Sequence, residues 1–237
     1  MSDDRLYFRQ LLAGRDFATA NPMAAQMVNF VYLVGDRETG ECLAVDPAWD
    51  VQGILDAAAA DDMKVTGALA THYHPDHVGG DFLGMGNVEG VVALLERADV
   101  PIHCQRAEVE WIEKGTGLDP SALTPHDSGD RVTVGGVEVE LLHTPGHTPG
   151  SQCFRVAGRL LSGDTLFLEG CGRTDFPGGD KEEIWRSLHQ RLAKLGDDTI
   201  LFPGHLYGPA GSATLGDTRE NNYVFRMRTL EDWLRLA

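Results

Sequence analysis

An apolar stretch, Val65-Thr66-Gly67-Ala68-Leu69-Ala70, runs without a break into Thr71-His72-Tyr73-His74-Pro75-Asp76-His77. The first part has the length and composition of a short buried strand, and the second places four metal-ligating side chains within six residues. Positions two apart in extended backbone point the same way, so His72 and His74 can converge on one ion. Pro75 restricts the backbone before it, and the turn that follows can aim Asp76 and His77 at a neighbouring point. Imidazole and carboxylate at this density are the donor set of a borderline or hard divalent cation. A chain that uses such a segment has to bring further donors to the same strand end.

Three later segments have that form. His143-Thr144-Pro145-Gly146-His147-Thr148-Pro149-Gly150 follows a strand pattern, and its repeated Pro-Gly pairs mark a tightly turned loop. One of its two histidines suffices as a ligand, and the residues themselves leave His143 and His147 as equal choices. Ser162-Gly163-Asp164-Thr165 puts a carboxylate after an apolar run, where an Asp is ordinarily a turn or cap residue. Phe202-Pro203-Gly204-His205 repeats the order strand, turn, histidine. Each is weak alone. Together they place donors after four separate apolar strands.

The rest of the chain alternates helical and extended patterns. Strands are expected at 28–34, 42–46, 65–70 and 101–104, with helices at 51–62, 88–98 and 105–114, Asp50 capping the first. A hairpin turns at Gly135 and Gly136, QCFRVA and RLLSGDTLF read as further strands, and 181–195 reads as one amphipathic helix. The tail from Thr218 to Leu236 reads as helical. This order favours one α/β domain over 1–237, with helices outside packed sheets. No GxGxxG follows an early strand, which argues against a dinucleotide-binding fold.

Charge and cysteines narrow the function classes. Lys and Arg number 20 against 36 Asp and Glu, a formal charge of −16, which opposes a phosphate-backbone or anionic-membrane partner. No apolar run is long enough to span a bilayer, and the acidic start is unlike a signal peptide. The cysteines, Cys42, Cys104, Cys153 and Cys171, form no CxxC pair, so a disulfide framework is not expected and a cytoplasmic location is. Homo-oligomerisation is compatible with this composition.

The string HxHxDH at 72–77, GHTPG at 146–150, GDT at 163–165 and GH at 204–205 resembles the metallo-β-lactamase superfamily. Within it the similarity is to the glyoxalase II and persulfide dioxygenase branch, over nearly the whole chain. The resemblance implies a four-layer αββα sandwich. It implies a first ion held by His72, His74 and His147, a second by Asp76, His77 and His205, and Asp164 bridging both. It also favours His147 over His143, which becomes a supporting or strand-end residue. Two Zn2+ per chain would make a hydrolase of a small, thiol-derived, anionic thioester, with Asp76 orienting the nucleophile and receiving its proton. The alternative is a mononuclear iron persulfide dioxygenase, its Fe2+ held by His72, His147 and Asp164. A non-catalytic or nucleic-acid-processing member fits the charge less well.

Further residues are implied for the substrate. Gly170-Cys171-Gly172-Arg173-Thr174-Asp175-Phe176 resembles the GCGRTDF of persulfide dioxygenases and of short glyoxalase II relatives, with Cys171 and Arg173 facing substrate. Tyr207 stands two positions after the last ligand histidine, as an aromatic does in persulfide dioxygenases. Asn222-Tyr223 resembles the closing Asn-Pro of short glyoxalase II-like enzymes, with Tyr223 in place of Pro. Only 32 residues follow His205, too few for the glutathione-binding helical domain of full-length glyoxalase II. Residues 81–100 read as a loop and helix elaborating the mouth, with Phe82 or Met85 available to line it.

Overall fold

In the computed structural model, residues 4–82 and 84–236 are described. The first half of the chain runs β1 (Leu6–Leu12), α1 (Pro22–Met27), β2 (Phe30–Asp36), β3 (Glu41–Val45), α2 (Val51–Ala59), β4 (Lys64–Leu69) and the single-turn α3 (Pro75–Val78). It continues with a minimal hairpin of β5 (Gly80–Asp81) and β6 (Asn87–Val88), α4 (Val91–Ala98), β7 (Ile102–Gln105), α5 (Val109–Thr116) and β8 (Leu123–His126). The second half runs β9 (Arg131–Val134), β10 (Val137–His143), β11 (Gln152–Val156), β12 (Arg159–Gly163), α6 (Lys181–Arg186), β13 (Ile200–Pro203), β14 (Ala213–Thr214), α7 (Leu215–Asn221) and α8 (Leu230–Leu236).

Two six-stranded mixed sheets result, ordered β1-β2-β3-β4-β7-β8 and β14-β13-β12-β11-β10-β9. Helices α2 and α4 are the crossovers that make β3, β4 and β7 parallel. Period-two alternation explains how both sheets are covered on both faces. Tyr32 and Val34 of β2 face the layer between the sheets, with Phe154 and Leu161 from the second sheet. Leu33, between them in sequence, faces outward against Ile54 of α2 and Leu94 of α4. Leu160 and Leu201 of the second sheet turn outward to Ile184 of α6 and Trp233 of α8. The layers are therefore helix, sheet, sheet, helix, the αββα sandwich implied by the sequence. In the central layer, Phe154→Ala should cost about 3–5 kcal/mol.

The sheets are joined at one edge. Phe30 N donates to Gly204 O at 2.8 Å and Leu206 N to Val28 O at 3.0 Å, so residues 28–30 pair with the segment after β13. The C-terminal ends of β4, β12 and β13 meet at this edge.

Several expected elements differ in extent. The 105–114 helix divides into a 3-10 turn, Arg106–Glu108, and α5, because Gln105 Oε1 accepts from Ala107 N and caps the first turn. The 181–195 helix holds its α form only through α6 and then widens into a π-type turn at Ser187–Arg191. There Ser187 Oγ donates to Pro145 O at 2.7 Å, and Gly146 lies against the Ile184 backbone too closely for any side chain. Docking on the His147 loop thus reshapes the helix. The tail is broken after α7, where Asn222 turns its side chain to the loop at Gly170. Strand β1 has no clean alternating signature in the sequence, because Arg9 and Gln10 interrupt its apolar pattern.

Candidate metal centre

Each donor reaches the common edge from the end of a different element. His72 and His74 follow β4, Asp76 and His77 lie in α3, His147 follows β10, Asp164 follows β12 and His205 follows β13. Three overlapping sets have donor atoms within 4.8 Å of one another: His72, His74 and His147; His72, His77 and Asp164; and Asp76, His77 and His205. In the first set His74 Nδ1 stands 3.0 Å from both His72 Nε2 and His147 Nε2. In the last, His77 Nε2 and His205 Nε2 are 3.2 Å apart. Asp164 lies between them. Its Oδ2 is 3.7 Å from His147 Nε2, and its Oδ1 is 3.5 Å from His77 Nε2 and 3.4 Å from His205 Nε2.

The surrounding contacts aim these rings. His77 Nδ1 donates to Asp46 Oδ2 (2.9 Å), His147 Nδ1 to Arg173 O (2.6 Å) and His205 Nδ1 to Met27 O (2.8 Å). Carboxylates and carbonyls only accept, so in the neutral ring the proton sits on Nδ1 and the Nε2 lone pair faces the centre. Thr71 Oγ1 donates to Asp46 Oδ2 at 2.7 Å and is left to accept from His72 Nδ1 at 3.0 Å. Asp76 Oδ2 accepts from Asn29 Nδ2 (3.0 Å), whose amide is held the right way round by Trp49 Nε1 donating to Asn29 Oδ1 (3.0 Å). Asp46, Asn29 and Trp49 carry no donor spacing in the sequence, so nothing there marked their roles; the AVDP string holding Asp46 was the one available signal.

A cation fits this donor set. Asp164 Oδ1 is buried without a hydrogen-bond partner, an arrangement that is costly unless positive charge answers it. Burial pushes the imidazoles toward neutrality, taking His74 down to about 3 and His72 well below its usual value. At His77 burial is outweighed by the carboxylates of Asp76, Asp164 and Asp46, which lift it to about 10. Gly204 also belongs to the fit, since a Cβ there would collide with Asp164 Oδ1. Gly172 backs the His147 ring, where a Cβ would sit 2.8 Å from Nδ1. The site is a binuclear His/Asp metal-binding centre.

Glu108, which the sequence did not single out, holds the His147 loop from the 3-10 turn before α5. Its Oε1 accepts from Thr148 Oγ1 at 2.8 Å and Gly150 N at 2.6 Å, while its Oε2 is buried without a hydrogen-bond partner. Burial raises it to about 7.

A cleft of about 700 Å³ opens over the centre, with His74, Asp76, His147, Asp164 and His205 on its floor. Of the residues expected to meet substrate, Cys171, Arg173 and Tyr207 line it. Arg173 is held by Asp175 through two bonds, at 2.9 and 2.6 Å, and its guanidinium lies 4.7 Å from the Phe176 ring centre. Asn222 is buried behind the wall, bonding Gly170 N, Gly170 O and Phe167 O, while Tyr223 beside it lines the cleft. Phe82 lines it as well, whereas Met85 is 60% exposed elsewhere; Leu83, between them, lies outside the described residues. His143 gives its Nε2 to Pro149 O at 2.9 Å and stays out of the cluster. No serine or threonine lines the cleft among the described residues, and burial pushes the Cys171 thiol up to about 12. The wall supplies no activated side-chain nucleophile of the hydroxyl or thiolate kind.

Comparisons with known proteins agree with this geometry. The chain is 38% identical over 184 residues to a hydroxyacylglutathione hydrolase of Aeromonas hydrophila, covering 76% of this chain and 61% of that protein. It is 27% identical over 206 residues to a probable polyketide biosynthesis zinc-dependent hydrolase, BaeB, of Bacillus velezensis, covering 87% of this chain and 85% of that one. The crystal structure of ETHE1 from Myxococcus xanthus superposes with a TM-score of 0.76 at 26% identity, over 97% of this chain and 89% of that one. Residues 26–205 match the family model for the metallo-beta-lactamase superfamily. With seven His and Asp donors gathered at one sandwich edge and this match across most of its length, the chain belongs to the metallo-β-lactamase superfamily, as a metal-dependent hydrolase.

Proposed function

We propose that the protein hydrolyses a small thioester with the aid of two zinc ions. The observation that carries this reading is Asp164, whose two oxygens face separate donor sets while Oδ1 has no protein partner. His72, His74 and His147 would hold the first ion, Asp76, His77 and His205 the second, and Asp164 one on each oxygen. Bound there, a pair of divalent cations supplies Lewis acidity toward a carbonyl and acidifies water. The chain's own part is positional. Asn29 holds Asp76 Oδ2, so the Asp76 carboxyl faces the cleft floor, where it accepts the proton of the attacking water. The carbon–sulfur bond breaks, and the products are a carboxylate and a thiol. With no serine or threonine on the wall among the described residues and a Cys171 thiol held protonated, attack by water needs no covalent acyl-enzyme.

The thiol half is expected to be small and anionic, in line with the similarity to hydroxyacylglutathione hydrolases. Cytoplasmic residence is supported by four free cysteines, three of them buried. No helix among the described residues is long and apolar enough to cross a membrane. A second reading, a mono-iron persulfide dioxygenase using His72, His147 and Asp164, is favoured by one observation. The chain covers 89% of the ETHE1 structure but only 61% of the Aeromonas hydrolase.

Metal analysis of anaerobically purified protein, with an oxygen electrode and a thiol-release assay on S-lactoylglutathione, separates the readings. About two zincs per chain, thiol release and no oxygen uptake with a persulfide are expected. One iron with rapid oxygen uptake would overturn the hydrolase.

A further inference from the structure

Residues 81–100 meet the cleft, among the described residues, only through Asp81 and Phe82. Further contacts lead behind the metal centre instead, to the loop at 46–50 that joins β3 to α2. Glu89 O accepts from Trp49 N at 2.9 Å, and Glu89 Oε2 accepts from Val51 N at 3.1 Å. The Glu89 carboxylate is in turn gripped by Arg97 of α4 through two bonds, at 2.8 and 3.1 Å. Phe82 sets its ring against the Trp49 indole, with centres 5.8 Å apart. The segment is closed at its base, where Gly90 runs so near Val78 O that a Cβ would sit 2.1 Å from it. Val78 ends α3, the turn that carries Asp76 and His77.

The loop held in this way is strained. Trp49 has φ +78° and Asp46 φ +54°, both in the left-handed region. A side chain as large as indole adopts that conformation only where its surroundings over-determine it, and such strain gathers at functional sites. Both side chains act on one donor set. Asp46 Oδ2 takes His77 Nδ1 at 2.9 Å, and the buried Trp49 sends its Nε1 to Asn29 Oδ1 at 3.0 Å. The second bond decides which way the Asn29 amide faces, because an indole N–H can only donate. With its oxygen taken, the amide turns its nitrogen to the set: 3.0 Å from Asp76 Oδ2, and 3.4 Å from both His77 Nε2 and His205 Nε2. A reversed amide would put oxygen against the Asp76 carboxylate. Among the described residues no hydrogen bond joins Trp49 or Asn29 to His72, His74 or His147.

We infer that residues 81–100 are a clamp on the metal centre. Through Glu89 and Phe82 they hold Trp49 in its left-handed conformation, and Trp49 is a positioning residue that turns the Asn29 amide onto Asp76, His77 and His205. The inference does not depend on the thioesterase reading, since it concerns how the donors are aimed and not which bond is broken. A chain shortened between α3 and β7 would keep all seven donors and lose the device that aims three of them.

Zinc affinity tests this without any substrate, by competition of the metal-free full chain with a chromophoric chelator. Trp49→Phe keeps a ring against Phe82 and removes only the indole N–H. One of the two zinc dissociation constants should rise about tenfold while the other is held. Asn29→Ala should raise the same constant at least as much. The double variant Trp49→Phe/Asn29→Ala should match Asn29→Ala alone, because the indole acts through the amide. Phe82→Ala leaves the N–H in place and removes its support; it should raise that constant less, and not at all once Asn29 is gone. Affinity unmoved by Trp49→Phe, whatever the change in melting temperature, would overturn the inference. So would losses that add in the double variant or that fall equally on both constants. Should Trp49→Phe fail to fold, Phe82→Ala carries the same test, and no change of either constant in it would be fatal to the clamp.

Discussion

On the floor of the cleft, His72, His77, His147 and His205 each give one ring nitrogen to a protein acceptor, and all four are buried. On the rim, Tyr207 and Tyr223 leave about half their surface in solvent, and Arg173 is held by a bridge to Asp175 that is itself largely exposed. The floor is over-determined, because each of these four rings is fixed both by the element that carries it and by a hydrogen bond behind it. The rim is set by loops and by a few polar ties, among them Asn222 to Gly170 and Tyr73 to Pro177. Chemistry common to many substrates belongs to the first kind of construction, and selectivity to the second.

The largest effect should come from removing the one residue that serves both halves of the floor. Asp164→Ala is expected to lose metal at both positions and to lower turnover by at least about a hundredfold, read by metal analysis and kinetics. A full metal complement in that variant would break the bridging assignment. Asp46→Ala separates the halves. His77 Nδ1 and Thr71 lose their acceptor, so affinity at the position of His77 should drop about 10–100-fold while the His74 and His147 side is held. Equal loss at both positions, measured by competition with a chelator, would show that the floor acts as one unit.

Glu108 tests whether the floor's rigidity has a pH signature. Its carboxyl is raised by burial from 4.5 to about 7, so the folded state binds this proton more tightly than the unfolded state does. Its contribution to stability is therefore full below about pH 4.5 and is lost as pH rises toward 7, on the order of 3 kcal/mol in all. Glu108→Gln keeps an acceptor for Gly150 N and Thr148 but does not titrate. Between pH 5 and 8 its stability in denaturant should rise relative to wild type; a constant difference would remove the carboxyl from this role. The smallest effect is expected on the rim. Arg173→Ala removes an exposed, solvent-screened ion pair, yet His147 is held by the Arg173 backbone carbonyl, which the substitution keeps. Metal content should be unchanged and kcat/KM should fall by less than about fivefold, alike for anionic and neutral thioesters. Selective loss of anionic substrates would give Arg173 a direct part in recognition.

The donors were legible because metal chemistry is written in residue type and spacing. His72, His74, Asp76 and His77 are adjacent in sequence, and the other three each follow an apolar strand. What positions them was not legible. Asn29, Asp46, Glu108 and Trp49 sit 25 or more residues from the groups they hold, apart from Trp49, which reaches Asn29 across 20. Helix breaks at Ser187 and Asn222 were hidden for the same reason: the competing bonds, to Pro145 O and to the Gly170 loop, come from elsewhere in the chain.

The sequence by itself determined the alternation of helices and strands, the acidic surface and the list of seven donors, because periodicity, charge and ligand type are local properties. Tertiary structure decided which ring nitrogen each histidine offers, and that Asp164 stands between two donor sets. It also paired Arg173 with Asp175 and left the rings of Tyr207 and Tyr223 uncovered. Those outcomes depend on hydrogen bonds and packing between strand ends remote in sequence, where backbone carbonyls such as Met27 O and Arg173 O act without regard to the side chain they carry.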